Sequence, residues 1–216
     1  MSKSIMIIGA GPGIGQAVAR RFGREGWQIV LTGRSADRLA TLAADLNAEG
    51  ITAHIVPADA TDPASLRAAV AKAEYLTGGL TAVHFNAGVV RNHDLFSMTD
   101  AEIAGDLAID VTAGFNTIRA ATEMFGGRGG TILVTGGGLG IHPSADWAVL
   151  GAGKAALRNI VQGLAEPMAE RGIRIRIATV ATLVAPDSAE ASAAADVFWM
   201  LATDPNAAWE AVYPAA

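Results

Sequence analysis

The chain of 216 residues contains no cysteine. Disulfides, thiolate metal sites and cysteine nucleophiles are therefore excluded. Aromatic residues are few, at 6%, and Tyr75 and Tyr213 are the only tyrosines. The four histidines, His54, His84, His93 and His142, are scattered without the spacing of metal ligands. Surface or loop positions are expected for the first three, and a role for His142 stays open. Basic runs are absent and the formal net charge is −5. That argues against nucleic acid or an anionic membrane as the main partner. No apolar stretch approaches the roughly 20 residues that span a bilayer. The short run Ile5-Met6-Ile7-Ile8 leads straight into glycines, so no signal peptide is expected and the expected location is cytoplasmic.

What is present is a chain 51% hydrophobic and 17% charged, the composition of a folded globular protein. Its length suits one α/β domain, and with no repeats or linkers a single domain over residues 1–216 is expected. Strand candidates are Ser4–Ile8, Gln28–Thr32, Thr52–Val56, Thr81–Phe85, Gly130–Thr135 and Arg174–Val180. Most are continuous apolar runs, as in strands buried on both faces. Helices are predicted over Ile14–Glu25, Ala36–Glu49, Pro63–Leu76, Asp100–Phe125 and Ala145–Arg171. Ser35 is placed to cap the second helix, Asp62-Pro63 puts proline at a first helical position, and Thr99 to Glu102 has capping-box spacing. Gly50 and Gly172 stand where helices stop. Strands alternating with helices give a Rossmann-type, doubly wound parallel sheet in three α/β/α layers.

The segment Gly9-Ala10-Gly11-Pro12-Gly13-Ile14-Gly15 joins the first strand to the first helix. Glycines there allow a sharp turn, close approach of the backbone to a pyrophosphate and tight packing of helix on strand. The helix N-terminus offers free N–H groups to the phosphates. An acid at the end of the second strand would favour NAD. Here that strand ends Leu31-Thr32-Gly33-Arg34-Ser35. Arg34 can pair with a 2′-phosphate and Ser35 adds a hydroxyl, so NADP(H) is the expected cofactor.

Several of these segments, taken in order, resemble the short-chain dehydrogenase/reductase family. The spacing from Gly9 to Gly13-Ile14-Gly15 is similar to its cofactor turn. Asp59-Ala60 follows the third strand, where the family has an acid that contacts adenine. Asn86-Ala87-Gly88 matches the family's Asn-Ala-Gly motif, which lies along the cofactor. Lys154 matches the active-site lysine that binds the nicotinamide ribose. The resemblance runs from about Ser4 to Val180. It implies an oxidoreductase, and a homodimer or homotetramer packed through the fourth and fifth predicted helices.

The resemblance also marks departures. Where the family has its catalytic tyrosine, four residues before the lysine, stands Leu150. The serine position is Gly137, the asparagine position is Asp110, and the Pro-Gly after the sixth strand is missing. A positioned proton donor is worth roughly 10²- to 10⁴-fold in rate, and an oxyanion donor roughly 10²- to 10³-fold. Lys154 is thus the expected catalytic residue, with Asp110 and His142 as candidate substitutes. Ser144 and Asp146 read as a helix cap and a first-turn acid. Trp147 is equally readable as pocket wall or core. Val89, Val90, Leu139, Ile141 and Leu150 suggest an apolar substrate. Two functions stand side by side: an NADP(H)-dependent oxidoreductase, and a non-catalytic module whose partner binding responds to NADP(H).

Overall fold

The computed structural model describes residues 3–215. Its first strand, Ser4–Ile8 (β1), is buried along its whole length. Met6 and Ile8 face one side of the sheet and Ile5 and Ile7 the other, as the two-residue period of a strand requires. Each face needs its own cover, and helices supply it.

The chain continues as Ile14–Arg24 (α1), Gln28–Thr32 (β2), Ala36–Ala48 (α2), Ala53–Ile55 (β3), Pro63–Thr77 (α3) and Ala82–Phe85 (β4). Next come Asp100–Leu107 (α4), a π-helical turn at Ala108–Thr112, Ala113–Phe125 (α5) and Gly130–Gly137 (β5). Ala148–Ala169 (α6), Ile173–Val180 (β6), Ala189–Thr203 (α7) and Glu210–Tyr213 (β7) complete it. All seven strands are parallel, in the order β3-β2-β1-β4-β5-β6-β7. Buried residues of α3, α5 and α6 pack on one face and those of α1, α2 and α7 on the other. This is the doubly wound three-layer arrangement expected from the sequence. Among the described residues no helix is long and apolar enough to cross a membrane.

Local signals carry the boundaries. Ser35 accepts the Arg38 N–H at 3.4 Å and Asp62 that of Ala64 at 2.9 Å. Thr99 and Glu102 form a reciprocal capping box. Gly50 and Gly172, at φ +79° and +72°, take the left-handed conformation that ends helices.

Three expectations are corrected, and a stretch left unassigned from the sequence is filled in. The helix expected over Asp100–Phe125 is broken by the π turn, where the Ala113 N–H bonds to Ala108 O, five residues back. The extra residue bulges the helix and sets Asp110 into the interior, 1% exposed. Ser144 makes no capping hydrogen bond, because Ala145–Trp147 is a separate 3₁₀ turn before α6. His84 is fully buried rather than in a loop, since it lies on the central strand β4. Finally, α7 and β7 extend the fold beyond the last predicted strand. Arg176, on β6 and 5% exposed, ties that addition down. It donates to the carbonyls of Leu201, Asp204 and Pro205 at 2.5, 2.6 and 3.0 Å, satisfying the end of α7.

Candidate active site

Beyond the carboxyl ends of β1 and β4 the chain departs to opposite faces of the sheet. Parallel α/β sheets open a crevice at that switch point. Here it is a cleft of about 1270 Å³. Gly9, Pro12, Gly13 and Ile14 line it; Gly11 and Gly15 do not. Gly9 has φ +86°, and a Cβ on it would strike the Ala87 backbone. Gly13 has φ +87°, and a Cβ on it would meet only Val184 O at an ordinary 3.9 Å, so conformation rather than room demands glycine there. A Cβ on Gly15 would lie 3.1 Å from Asn86 Nδ2, which lets α1 sit close to β4. The first turn of α1 has neither a side-chain cap nor an acid. Its free N–H groups suit a pyrophosphate.

At one end of the cleft, Arg34, Ser35, Arg38, Asp59 and Ala60 form the wall. Neither Arg34 nor Arg38 makes an ion pair within 4 Å among the described residues. Asp59 accepts the Thr61 hydroxyl at 2.7 Å and its N–H at 2.9 Å. These bonds hold its carboxyl below the usual range. The Ser35 oxygen is engaged in capping α2. Arg38 was not anticipated; its spacing from Arg34, one helical turn along, was the available signal.

At the other end Asn86, Ala87, Gly88 and Lys154 converge with the end of β5. Asn86 Nδ2 donates to Gly9 O at 3.0 Å, and its Oδ1 accepts the Thr135 hydroxyl at 2.8 Å. His84 Nε2 lies 2.8 Å from the same hydroxyl oxygen. Lys154 Nζ donates to Thr135 O at 3.1 Å. Burial pushes its pKa down, opposed by the charge of Asp110. Asp110 lies behind the wall rather than in it. Its Oδ1 accepts the Val89 N–H at 2.7 Å, and Oδ2 has no partner. Burial lifts its pKa to about 6 against the Val89 hydrogen bond and the Lys154 charge. A Cβ on Gly88 would sit 3.4 Å from Asp110 Oδ1 and 3.6 Å from Lys154 Nζ. The two groups thus flank Gly88 without forming a direct ion pair.

The remaining wall is apolar. Leu150, one helical turn before Lys154 and 7% exposed, lines the cleft with Leu139, Trp147, Leu183 and Val184. Gly137 lines it opposite the Lys154 stem; its Cβ would be 3.1 Å from Lys154 Cγ. Gly137 is extended, with φ −158°, so its backbone accepts any residue. His142 lines the cleft and is exposed, whereas Ser144 and Asp146 do not line it. Among the described residues no three potential ligands gather for a metal. The chain has the parts to hold an extended dinucleotide, with an amine at one end and little acid-base equipment beside it.

Comparison with known proteins agrees with this geometry. The sequence pattern of the family described as short chain dehydrogenase matches residues 3–195. The 2,3-dihydro-2,3-dihydroxybenzoate dehydrogenase of Bacillus subtilis is 30% identical over 211 residues, 97% of this chain and 77% of that protein. The glucose 1-dehydrogenase of Gluconobacter oxydans is 30% identical over 187 residues, 85% of this chain and 70% of its own. A crystal structure of a short chain dehydrogenase from Mycobacterium smegmatis gives a TM-score of 0.89 at 26% identity, covering 98% of this chain and 90% of that one. With the family pattern, the sheet order and the cofactor cleft in agreement, the chain belongs to the short-chain dehydrogenase family, whose members bind a nicotinamide dinucleotide.

Proposed function

We propose that this protein is an NADP(H)-dependent oxidoreductase acting on an apolar carbonyl compound or the matching alcohol, as one cytoplasmic domain over residues 1–216. The observation that carries the cofactor choice is the pair of unpaired guanidiniums, Arg34 and Arg38, at a strand end that bears no acid. They bind the 2′-phosphate, which NADH lacks. The N-terminus of α1 with Gly9, Pro12, Gly13 and Ile14 holds the pyrophosphate. Asp59 and Ala60 border the adenine, and Asn86, Ala87, Gly88 and Lys154 the nicotinamide ribose. When bound, the cofactor would supply a hydride to a carbonyl carbon or accept one from the carbinol carbon of the matching alcohol. Lys154 orients the ribose and places a positive charge beside the oxygen that gains electron density. Leu139, Trp147 and Leu150 exclude water from that carbon. His142, exposed on the cleft wall, and Asp110 are the candidate proton carriers. The relatives named for a dihydrodiol benzoate and for glucose support an alcohol–carbonyl pair as the substrate class.

Leu150 and Gly137 favour a second reading. Without a tyrosine and a serine in those places, the same scaffold serves as a non-catalytic module that senses NADP(H). Both readings require the cofactor. Calorimetric titration with NADPH and NADH tests it, with NADPH binding expected to be tighter. Arg34→Ala is expected to weaken NADPH by roughly 10- to 100-fold, the worth of a charge-assisted hydrogen bond, and to leave NADH nearly unchanged. Equal affinities, or preference for NADH, would remove Arg34 and Arg38 from this role.

A further inference from the structure

His84 is a fully buried titratable side chain that the proposed chemistry leaves unused. It is fully buried on β4, and its ring centroid lies 4.3 Å from that of Phe198 on α7. Desolvation drives its pKa down to about 3, so the ring is neutral at physiological pH. A valine or leucine would fill such a place without bringing polar nitrogens into the core.

The hydrogen bonds around it have only one consistent polarity. Asn86 gives an Nδ2 proton to Gly9 O, so its Oδ1 must accept. The Thr135 hydroxyl has a single proton, and at 2.8 Å it donates that proton to Oδ1. Its lone pair is then what faces His84 Nε2 at 2.8 Å. His84 must therefore carry its proton on Nε2. The unpartnered state of Nδ1 agrees, since in that tautomer Nδ1 is a bare acceptor. In the opposite tautomer Nε2 would compete for the hydroxyl proton, and Asn86 would lose the donor that fixes its amide. The register pairs Phe85 with Val134, which sets Asn86 beside Thr135 on the next rung. The two-residue period puts His84 on the same face.

We infer that His84 is a positioning residue for the cofactor turn: its Nε2–H sets the Thr135 hydroxyl, which orients Asn86, which holds Gly9. The same Thr135 accepts Lys154 Nζ on its backbone carbonyl, so one residue anchors both the turn and the catalytic amine. The inference rests on the reading of the cleft as a cofactor site.

The test is NADPH affinity, with NADH as second ligand and thermal unfolding recorded for every variant. His84→Met keeps an apolar filling but removes the donor. It is expected to raise the NADPH dissociation constant by roughly 5- to 10-fold, the worth of one hydrogen bond. His84→Gln presents an amide N–H at about the reach of Nε2 and is expected to restore affinity to within about twofold. A purely space-filling role would leave Met at least as good as Gln. Thr135→Val cuts the same link from its other end and is expected to weaken binding like His84→Met, which covers the case that the latter does not fold. Wild-type affinity in His84→Met or in Thr135→Val, or equal weakening in Met and Gln, would overturn the inference. A wild-type protein that binds neither dinucleotide would instead overturn the cofactor reading, and this inference with it.

Discussion

Gly137 and Leu150 determine what Lys154 meets across the cleft, and both accept a test by substitution. The extended φ of −158° at Gly137 poses no barrier to serine. A Cβ there asks only that the Lys154 stem yield a few tenths of an ångström. Gly137→Ser is therefore expected to fold, with a melting temperature within a few degrees of wild type. A second residue-scale test uses pH. Burial raises Asp110 to about 6, so the folded state holds its proton longer than the unfolded chain. Stability from this group is complete below about pH 4 and is lost as pH rises to about 6. His84 works oppositely. Its folded pKa of about 3 lies below the unfolded value, so its contribution is complete above about pH 6.5 and falls away as pH drops towards 3. Relative to wild type, Asp110→Asn should gain stability between pH 4 and 6, and His84→Gln should lose it over the same interval. Urea titrations at several pH values read both differences. Parallel curves for all three proteins would remove the assigned protonation states. Sequence exposed these groups unevenly. Arg34 and Lys154 stood in motifs. The burial of His84 could not be read, because a histidine on a short strand looks the same whether or not a helix covers it.

The elements were legible where capping chemistry wrote them. Ser35, Asp62 and Thr99 mark helix starts, and Gly50 and Gly172 mark stops. The π turn was not legible, because one inserted residue hardly disturbs a 3.6-residue pattern while turning the side chains that follow. Ser188 does cap α7, accepting the Ala191 N–H at 3.1 Å. That signal was available in sequence, but the alanine-rich helix behind it offered little amphipathic contrast. Strand β7, with four residues, is too short for a pattern to declare itself. The π turn and α6 meet at Gly153, where a Cβ would fall 2.7 Å from Asp110 Cβ. Gly153→Ala should push the two elements apart, destabilise the fold by about 1–3 kcal/mol and weaken NADPH binding through displaced Lys154. Chemical denaturation checks it, and a fully wild-type unfolding curve would mean that this packing is looser than the geometry states.

For the whole molecule, strand–helix alternation and right-handed crossovers predict a parallel sheet covered on both faces, and the order that the structure adds fixes where the cleft opens. We propose a homodimer or homotetramer through α4–α5 and α6, whose Ala- and Gly-rich faces permit close approach. Phe115 on α5 stays 40% exposed in the isolated chain. Light scattering at micromolar concentration reads the mass, and a monomer would contradict the assembly. A ligand that binds only the folded state stabilises it by about 2.7 kcal/mol at a hundred times its dissociation constant. At equal concentration NADPH should therefore raise the melting temperature more than NADH.

We propose that the cofactor site is complete while the proton-delivery site is not. The most direct measurement is the rate of NADPH oxidation with simple ketones, in the wild type and in the Gly137→Ser, Leu150→Tyr double variant. Folding and NADPH binding are verified first in each. Very slow reduction by the wild type is expected, with a gain of about 10²-fold or more in the double variant, the worth of a positioned acid. Brisk reduction by the wild type would contradict it and direct attention to His142 as the group that delivers the proton.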